Sequence, residues 1–361
     1  MKASITPISG FGAKGPACFL LEAEGRRILL DFGQGPDHDA LPDFDRIGSV
    51  DALVLSHGHR DHLGAIGHIG RIGNPKVYAT QAIHESLAGL DLMAPLPLRG
   101  ESDILGIKVE TGRTGHAPGG VWLNFRLGGG FLYTGDYCQT SPLYAYDMPG
   151  HAKVAIIDAS YGADERTVGA AQSELLAAVG KRPCLIPSPP DGRGPEIALH
   201  LYESGFEIGL DEATAQSIRR LIAFPDSLRL GVKEQLEQLL AAFCTVHADS
   251  VPAQAMIVAG ASGSLPLVKA LLERWQDGED VGFIFTGHLP NGSPAEKLVG
   301  SGRAEVIRWN VHPGLAETRA LIDAVRPDRI IPAFAPPDRL QQLRSACPAP
   351  FEMEGHAVAI T

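Results

Sequence analysis

The chain has 361 residues, of which 44% are hydrophobic, and carries a formal net charge of −11. This excludes a disordered chain and a protein coated in basic surface, although a local basic groove on an acidic body can still attract phosphates. Five scattered cysteines with no C-x-x-C pair exclude a disulfide frame or a thiolate zinc site. The apolar runs fall far short of the ~20 residues of a spanning helix, and "MKASITPISGFGAKG" meets Gly and Pro too early for a signal peptide. The expectation is a cytoplasmic protein with no membrane partner.

In chain order, the first third reads as strands. "ACFLLEA" and "RRILLDF" flank the turn-like "EGR", and the apolar "DALVLS" suits a strand buried on both faces. "KVYA", "VWLNFRL", "FLYTG" and "VAIIDAS" continue the series. From about residue 165 helical periods take over, in "DERTVGAAQSELLAAVG", "DEATAQSIRRLIAF", "KEQLEQLLAAF" and "LPLVKALLERW". Short apolar strands alternate with them ("PCLIPSP", "AQAMIVAG", "VGFIFTG"), the pattern of a mostly parallel sheet. "AEVIRWNV", a helix "GLAETRALIDAV" and the strand "RIIPAF" follow. The rhythm predicts a strand-rich domain over 1–165 and 303–361, interrupted by an α/β insertion over 166–302.

"LVLSHGHRDHLGAI" carries His57, His59, Asp61 and His62 as H-x-H-x-D-H at the end of an apolar run. If that run is a strand, the loop leaving it can aim four side chains at one point. Imidazole and carboxylate without thiolate suit a catalytic zinc site with exchangeable water. A histidine-rich loop without metal is the bland alternative, and four candidate ligands at this spacing after a buried strand disfavour it. One loop seldom completes two metal sites, so further ligands are sought at other strand ends. His116 in "TGHAPGG" and Asp136 in "LYTGDY" qualify. Asp31 in "ILLDFG" also ends a strand, where a turn-capping aspartate is the competing reading.

The order "LLDFG", "SHGHRDH", "TGHAPGG", "TGDY" resembles the first four motifs of the metallo-β-lactamase superfamily. "VAIIDASYG", "LIPSPPDGRGPEIALHL", "FTGHLPNGSPAEKLV" and "IRWNVHPGLAETRALI" are similar to the blocks of its β-CASP nuclease branch, so the likeness covers nearly the whole chain. The resemblance implies an αββα sandwich with an inserted α/β β-CASP domain and two zinc ions. His57, His59 and His116 would hold the first ion, Asp61 and His62 would contribute to the second, and Asp136 would bridge both. Asp31 would orient a ligand histidine. Asp61, His312 and Asp158 are cast in catalysis, with His312 as general acid held by Asp158.

One position departs from the branch. Its third extra motif usually carries a histidine at a strand end, and here "RIIPAFAPP" places Ala333 and Phe334 instead. The second zinc is therefore expected to be weaker, unless His356 in "MEGHAVAI" folds back into that place. The insertion should supply a lid that grips phosphates. Gly192, Arg193 and Gly194 lead into a helix, and Ser262 and Ser264 lie in a similar strand-to-helix turn, for which a plain glycine turn is the alternative.

The implied activity is hydrolysis of single-stranded nucleic acid, with RNA favoured over DNA. A DNA-acting nuclease of the branch, a small-molecule hydrolase on the same fold and a non-catalytic nucleic-acid-binding paralogue are the alternatives. A homodimer is compatible with this reading.

Overall fold

The computed structural model describes residues 3–35, 39–87 and 89–361. The chain forms two compact units. One comprises Met1–Thr140, Tyr144–Glu165 and His312–Thr361, and the other Ser141–Leu143 and Arg166–Val311.

In the first unit, alternation along the strands sorts side chains to two faces. Phe19, Leu21, Ile28 and Leu30 enter one core, while Cys18, Leu20 and Leu29 enter another. The turn between Cys18–Ala23 and Arg26–Leu30 uses positive φ at Glu24 (53°) and Gly25 (74°), which matches the twist of a tight hairpin. Ala3–Ser9, Cys18–Ala23, Arg26–Leu30, Ala52–Val54, Lys76–Ala79 and Met93–Pro95 lie in chain order in a seven-stranded sheet, with Val358–Ile360 added beside the first. A six-stranded sheet runs in the order Arg329–Ala333, Val154–Asp158, Phe131–Tyr133, Val121–Phe125, Ile107–Arg113, Gly100–Ile104.

The two sheets share a core in which the rings of Phe19 and Tyr133 sit 5.5 Å apart. On the outer face of the first sheet, Ile47, Ile69, Ile72 and Ile83 of the short helices pack against Leu29, Leu53 and Val77. On the outer face of the second, Leu321 and Val325 of the Leu315–Val325 helix cover Leu132, Ala155 and Ile157. The layers are helix, sheet, sheet, helix.

The second unit is built on a parallel six-stranded sheet in the order Cys244–Thr245, Ile208–Leu210, Ala255–Ala259, Cys184–Ser188, Gly282–Phe285, Glu305–Val306. Its central strands are buried along their whole length, as continuous apolar runs between helices require. Among the described residues no helix is long and apolar enough to cross a membrane.

Two expectations need correction. "AEVIRWNV" yields only the two-residue strand Glu305–Val306, which pairs with Ile284 and Phe285 in the parallel sheet. The Trp309 amide then donates to Thr286 O (3.0 Å) and the Asn310 side chain to Arg166 O (2.7 Å), so the chain rejoins the first unit at His312 and not at 303. The other concerns the first third, where Ala3–Ser9, paired with the expected Cys18–Ala23, and the hairpin of Gly100–Ile104 with Ile107–Arg113 add strands that the sequence reading did not name.

Candidate metal centre

The centre begins with the backbone of Asp31, which stands in the left-handed region (φ 58°) just past its strand. That conformation turns the carboxylate toward the end of Ala52–Val54. There it accepts from the Ser56 amide and hydroxyl (2.7 Å each), from the Tyr133 hydroxyl, and meets His62 Nδ1 at 2.7 Å. Asp31 therefore fixes the ring direction of His62 and leaves its Nε2 to face inward. Ser56, just past the Ala52–Val54 strand, and Tyr133 are site residues that sequence reasoning missed, because a hydroxyl in or beside a strand gives no signal of its own.

The other ligand candidates arrive from the ends of three strands, Ala52–Val54, Ile107–Arg113 and Phe131–Tyr133. His57 follows Ser56, whose hydroxyl lies 3.1 Å from His57 Nδ1. His59 precedes the short helix Arg60–Leu63, which carries Asp61 and His62. Asp136 follows Gly135, where a Cβ would lie 2.7 Å from the Ser56 side chain, so only glycine lets this strand end come so close.

Around Asp136, His62 Nε2 lies 3.2 Å away, His116 Nε2 3.5 Å and His57 Nε2 3.8 Å. His116 Nε2 and His59 Nδ1 are 3.0 Å apart. One ligand atom each from His57, His59, His116 and Asp136 falls within 4.8 Å of the others, and the same holds for Asp61, His62 and Asp136. His57 Nε2 is buried and has no hydrogen-bond partner, which is the state of a donor atom shaped for a cation. The donor set of imidazoles and carboxylates fits zinc.

Electrostatics agree with that use. Burial, reinforced by the neighbouring His62 and His59, pushes the His57 pKa well below the usual histidine value, so it is neutral, as a ligand must be. Burial opposes the charged form of Asp136, but His62 and His312 outweigh it and hold the carboxylate ionised.

A third group lies beside these. His312 Nδ1 is 2.9 Å from Asp158 Oδ2 and 3.6 Å from Asp136 Oδ2. Asp158 ends its strand and is held by the Ser160 amide (2.8 Å) and hydroxyl (2.5 Å). The His312 ring lies 4.9 Å from that of His116 and edge-on to Tyr161. Burial disfavours the imidazolium, yet Asp158 and Asp136 together raise its pKa above the ordinary value.

Where the third extra motif would place an imidazole, Phe334 stands. Its amide donates to Gly10 O (2.7 Å), its φ is 65°, and its ring packs 5.0 Å from His62. His356 is exposed and faces Glu354 at 3.3 Å, so it does not join the cluster. In the second unit, Arg193 opens the helix Arg193–Glu203 after Gly192, whose φ is 79°. Gly194 donates to Pro189 O (3.1 Å), so its amide is already used. Ser262 accepts from the Ala295 amide through its carbonyl (3.1 Å) and Ser264 is exposed, an arrangement that serves as a turn.

Sandwiched sheets with a histidine–aspartate cluster at their strand ends define the class of metallo-β-lactamase folds. Residues 12–168 match the family model described as the metallo-beta-lactamase superfamily. Cleavage and polyadenylation specificity factor subunit 3 of Dictyostelium discoideum is 23% identical, over 96% of this chain and 55% of its own length. Transcription termination factor FttA of Cenarchaeum symbiosum is 27% identical over 56% of this chain and 40% of its own. Endoribonuclease YSH1 of Yarrowia lipolytica is 21% identical over 96% and 52%. The chain spans about half the length of these curated relatives. A crystal structure of an Enterococcus faecalis V583 protein of unknown function aligns over 99% of this chain and 100% of its own with a TM-score of 0.63 at 15% identity, a likeness of fold.

Proposed function

We propose that the protein is a metal-dependent nuclease that hydrolyses phosphodiester bonds in single-stranded nucleic acid, RNA ahead of DNA, in the cytoplasm. The observation that carries this is Asp136, one buried carboxylate common to three ligand groups, with the hydrogen-bonded His312–Asp158 pair in one of them. The endoribonuclease and the polyadenylation factor among the relatives favour RNA.

His57, His59, His116 and Asp136 would hold one zinc, and Asp61 and His62 with Asp136 a second. Bound there, the metal would supply a hydroxide at neutral pH and offset charge on the phosphoryl oxygens. His312 carries its Nδ1 proton to Asp158, which fixes the tautomer and leaves Nε2 to deliver a proton to the leaving sugar oxygen. Asp158, itself pinned by Ser160, stabilises the imidazolium. Asp61, partly buried and grouped with His62 and Asp136, would orient the attacking water. Because Phe334 and not an imidazole faces His62, the second position has one donor fewer and binds its ion less tightly.

End-labelled single-stranded RNA and DNA, incubated with and without chelator, test the proposal. Chelator-sensitive cleavage faster on RNA is expected, and metal analysis should find zinc full at one position and partial at the other. Undiminished cleavage in chelator, or no cleavage of either strand, removes the proposal. Two equally tight zincs remove the inequality of the sites.

A further inference from the structure

We propose that the carboxyl ends of the Cys184–Ser188 and Gly282–Phe285 strands form a phosphate subsite, with Arg193 as its cation and Ser188 and Thr286 as its hydroxyl donors. The subsite rests on the nuclease reading for the source of the phosphate. Its evidence lies wholly within the second unit.

The two strands are parallel neighbours, paired at Cys184↔Gly282 and Leu185↔Phe283. The chain leaves the first toward Ile208–Leu210 on one side of the sheet, and the second toward Glu305–Val306 on the other. Loops that diverge from adjacent strand ends open a crevice, and open α/β sheets bind ligands at such switch points.

Continuing the strand register brings Ser188 level with Thr286. Ser188 is 1% exposed and Thr286 2%, and neither Ser188 Oγ nor Thr286 Oγ1 has a hydrogen-bond partner. Native folds seldom leave buried hydroxyls unsatisfied, and two at adjacent strand ends mark a place where something else completes them.

The charge is supplied by Arg193, first residue of an eleven-residue helix. Its guanidinium lies against Gly287, the residue after Thr286. A Cβ on Gly287 would sit 1.8 Å from Nη1, so any other residue there would drive the arginine out. Arg193 Nε is buried with no hydrogen-bond partner. Glu196, one turn along, is taken by the Ser141 hydroxyl and the Trp309 indole N–H (2.6 Å). On the other side, a Cβ on Gly194 would lie 3.7 Å from that of Ser188, which places the serine against the first helical turn.

The helix start gives little through its amides, since Gly194 donates to Pro189 O and Pro195 has no N–H. The side chains carry the site: a planar guanidinium that meets two phosphate oxygens, with two hydroxyls to complete the shell. An internal backbone phosphate and a terminal 5′-phosphate share this chemistry.

The test uses the full chain and labelled single-stranded RNA bearing either a 5′-hydroxyl or a 5′-phosphate. Stopped-flow anisotropy reads binding before cleavage, over a range of salt. Arg193→Ala should weaken binding and flatten the slope of log affinity against log salt by about 0.7, one phosphate contact on a single strand. Arg193→Lys should keep the slope and lose part of the affinity. Ser188→Ala and Thr286→Val should lose affinity while the melting temperature holds or rises, because replacing an unpartnered buried hydroxyl by an apolar group relieves its desolvation. Losses equal on both strands assign an internal phosphate, and losses confined to the 5′-phosphorylated strand assign the terminal one.

An Arg193→Ala slope equal to that of the wild type, with Ser188→Ala and Thr286→Val affinities unchanged, overturns the subsite and leaves the nuclease reading standing. A wild-type chain that binds neither strand overturns both.

Discussion

At the scale of single residues, the centre depends on carboxylates that have no freedom left. Asp31 is committed to Ser56, His62 and Tyr133, and Asp158 to His312 and Ser160. The second commitment separates two roles for His312, since it also lies within ligand distance of Asp136 and Asp158 as a group. As the general acid, His312→Ala should slow cleavage on the order of 10²–10⁴-fold and keep the metal, with the defect shrinking on an activated phosphodiester that needs no proton. Asp158→Asn should show a smaller loss of the same kind. If His312→Ala instead loses metal and the activated substrate does not rescue it, the histidine is a ligand. The positions of His57, His59, Asp61, His62, His116 and Asp136 were legible because ligand types stood at apolar strand ends. Ser56, Tyr133, Ser160 and the packing of Phe334 were not, since hydroxyls and aromatic rings are ordinary in and beside strands and only the third dimension makes them neighbours.

At the scale of elements, the Arg193–Glu203 helix buries Glu196 with its carboxylate between Ser141 and Trp309. Burial raises its pKa from 4.5 to about 7, against the pull of those two hydrogen bonds and of Arg193. The folded protein then binds more protons than the unfolded chain between those values, so this group's contribution is most favourable below about pH 4.5 and declines as pH rises through 7. The cost above neutrality is on the order of 2–4 kcal/mol. Glu196→Gln can still accept from Trp309 and donate to Ser141. Its melting temperature, relative to wild type, should therefore climb between about pH 5 and pH 8. A difference independent of pH would show that Glu196 is not the group that titrates.

Element types were largely readable where periodicity was strong, as in the helices Val168–Val179, Glu212–Ala223, Val232–Ala242 and Pro266–Trp275 and the central strands of the parallel sheet. They were less so in the hairpin Gly100–Ile104 with Ile107–Arg113, where Glu101, Asp103 and Lys108 face outward and dilute the apolar signal.

For the whole molecule, the change of rhythm near residue 165 was visible in sequence because a parallel sheet with crossover helices has a different period from an antiparallel one. The return point was not. Glu305–Val306 and Trp309 read as the start of a new segment, yet they belong to the sheet before it through backbone bonds that no side-chain pattern announces. The same kind of bond closes the first unit, where Ala3, Ser4 and Ile5 pair with Ile360, Ala359 and Val358. A chain ending at Ala357 should lose hydrogen-exchange protection in Ala3–Ser9 while keeping it in Ala255–Ala259, which lies in the other unit's core. Equal loss in both strands would mean that the two units unfold as one.

That pairing of the first strand with the last also sets a schedule for biosynthesis. Ala3–Ser9 is synthesised well before Val358–Ile360, so its outer edge stays open until translation has passed Ile360, roughly 20–70 s later at ordinary elongation rates. For that interval the nascent chain offers an unpaired β-edge to its neighbours on the polysome. Pro7, which has no N–H to donate, and the break in register between Pro7 and Ser9 shorten the stretch that a stranger could zip onto.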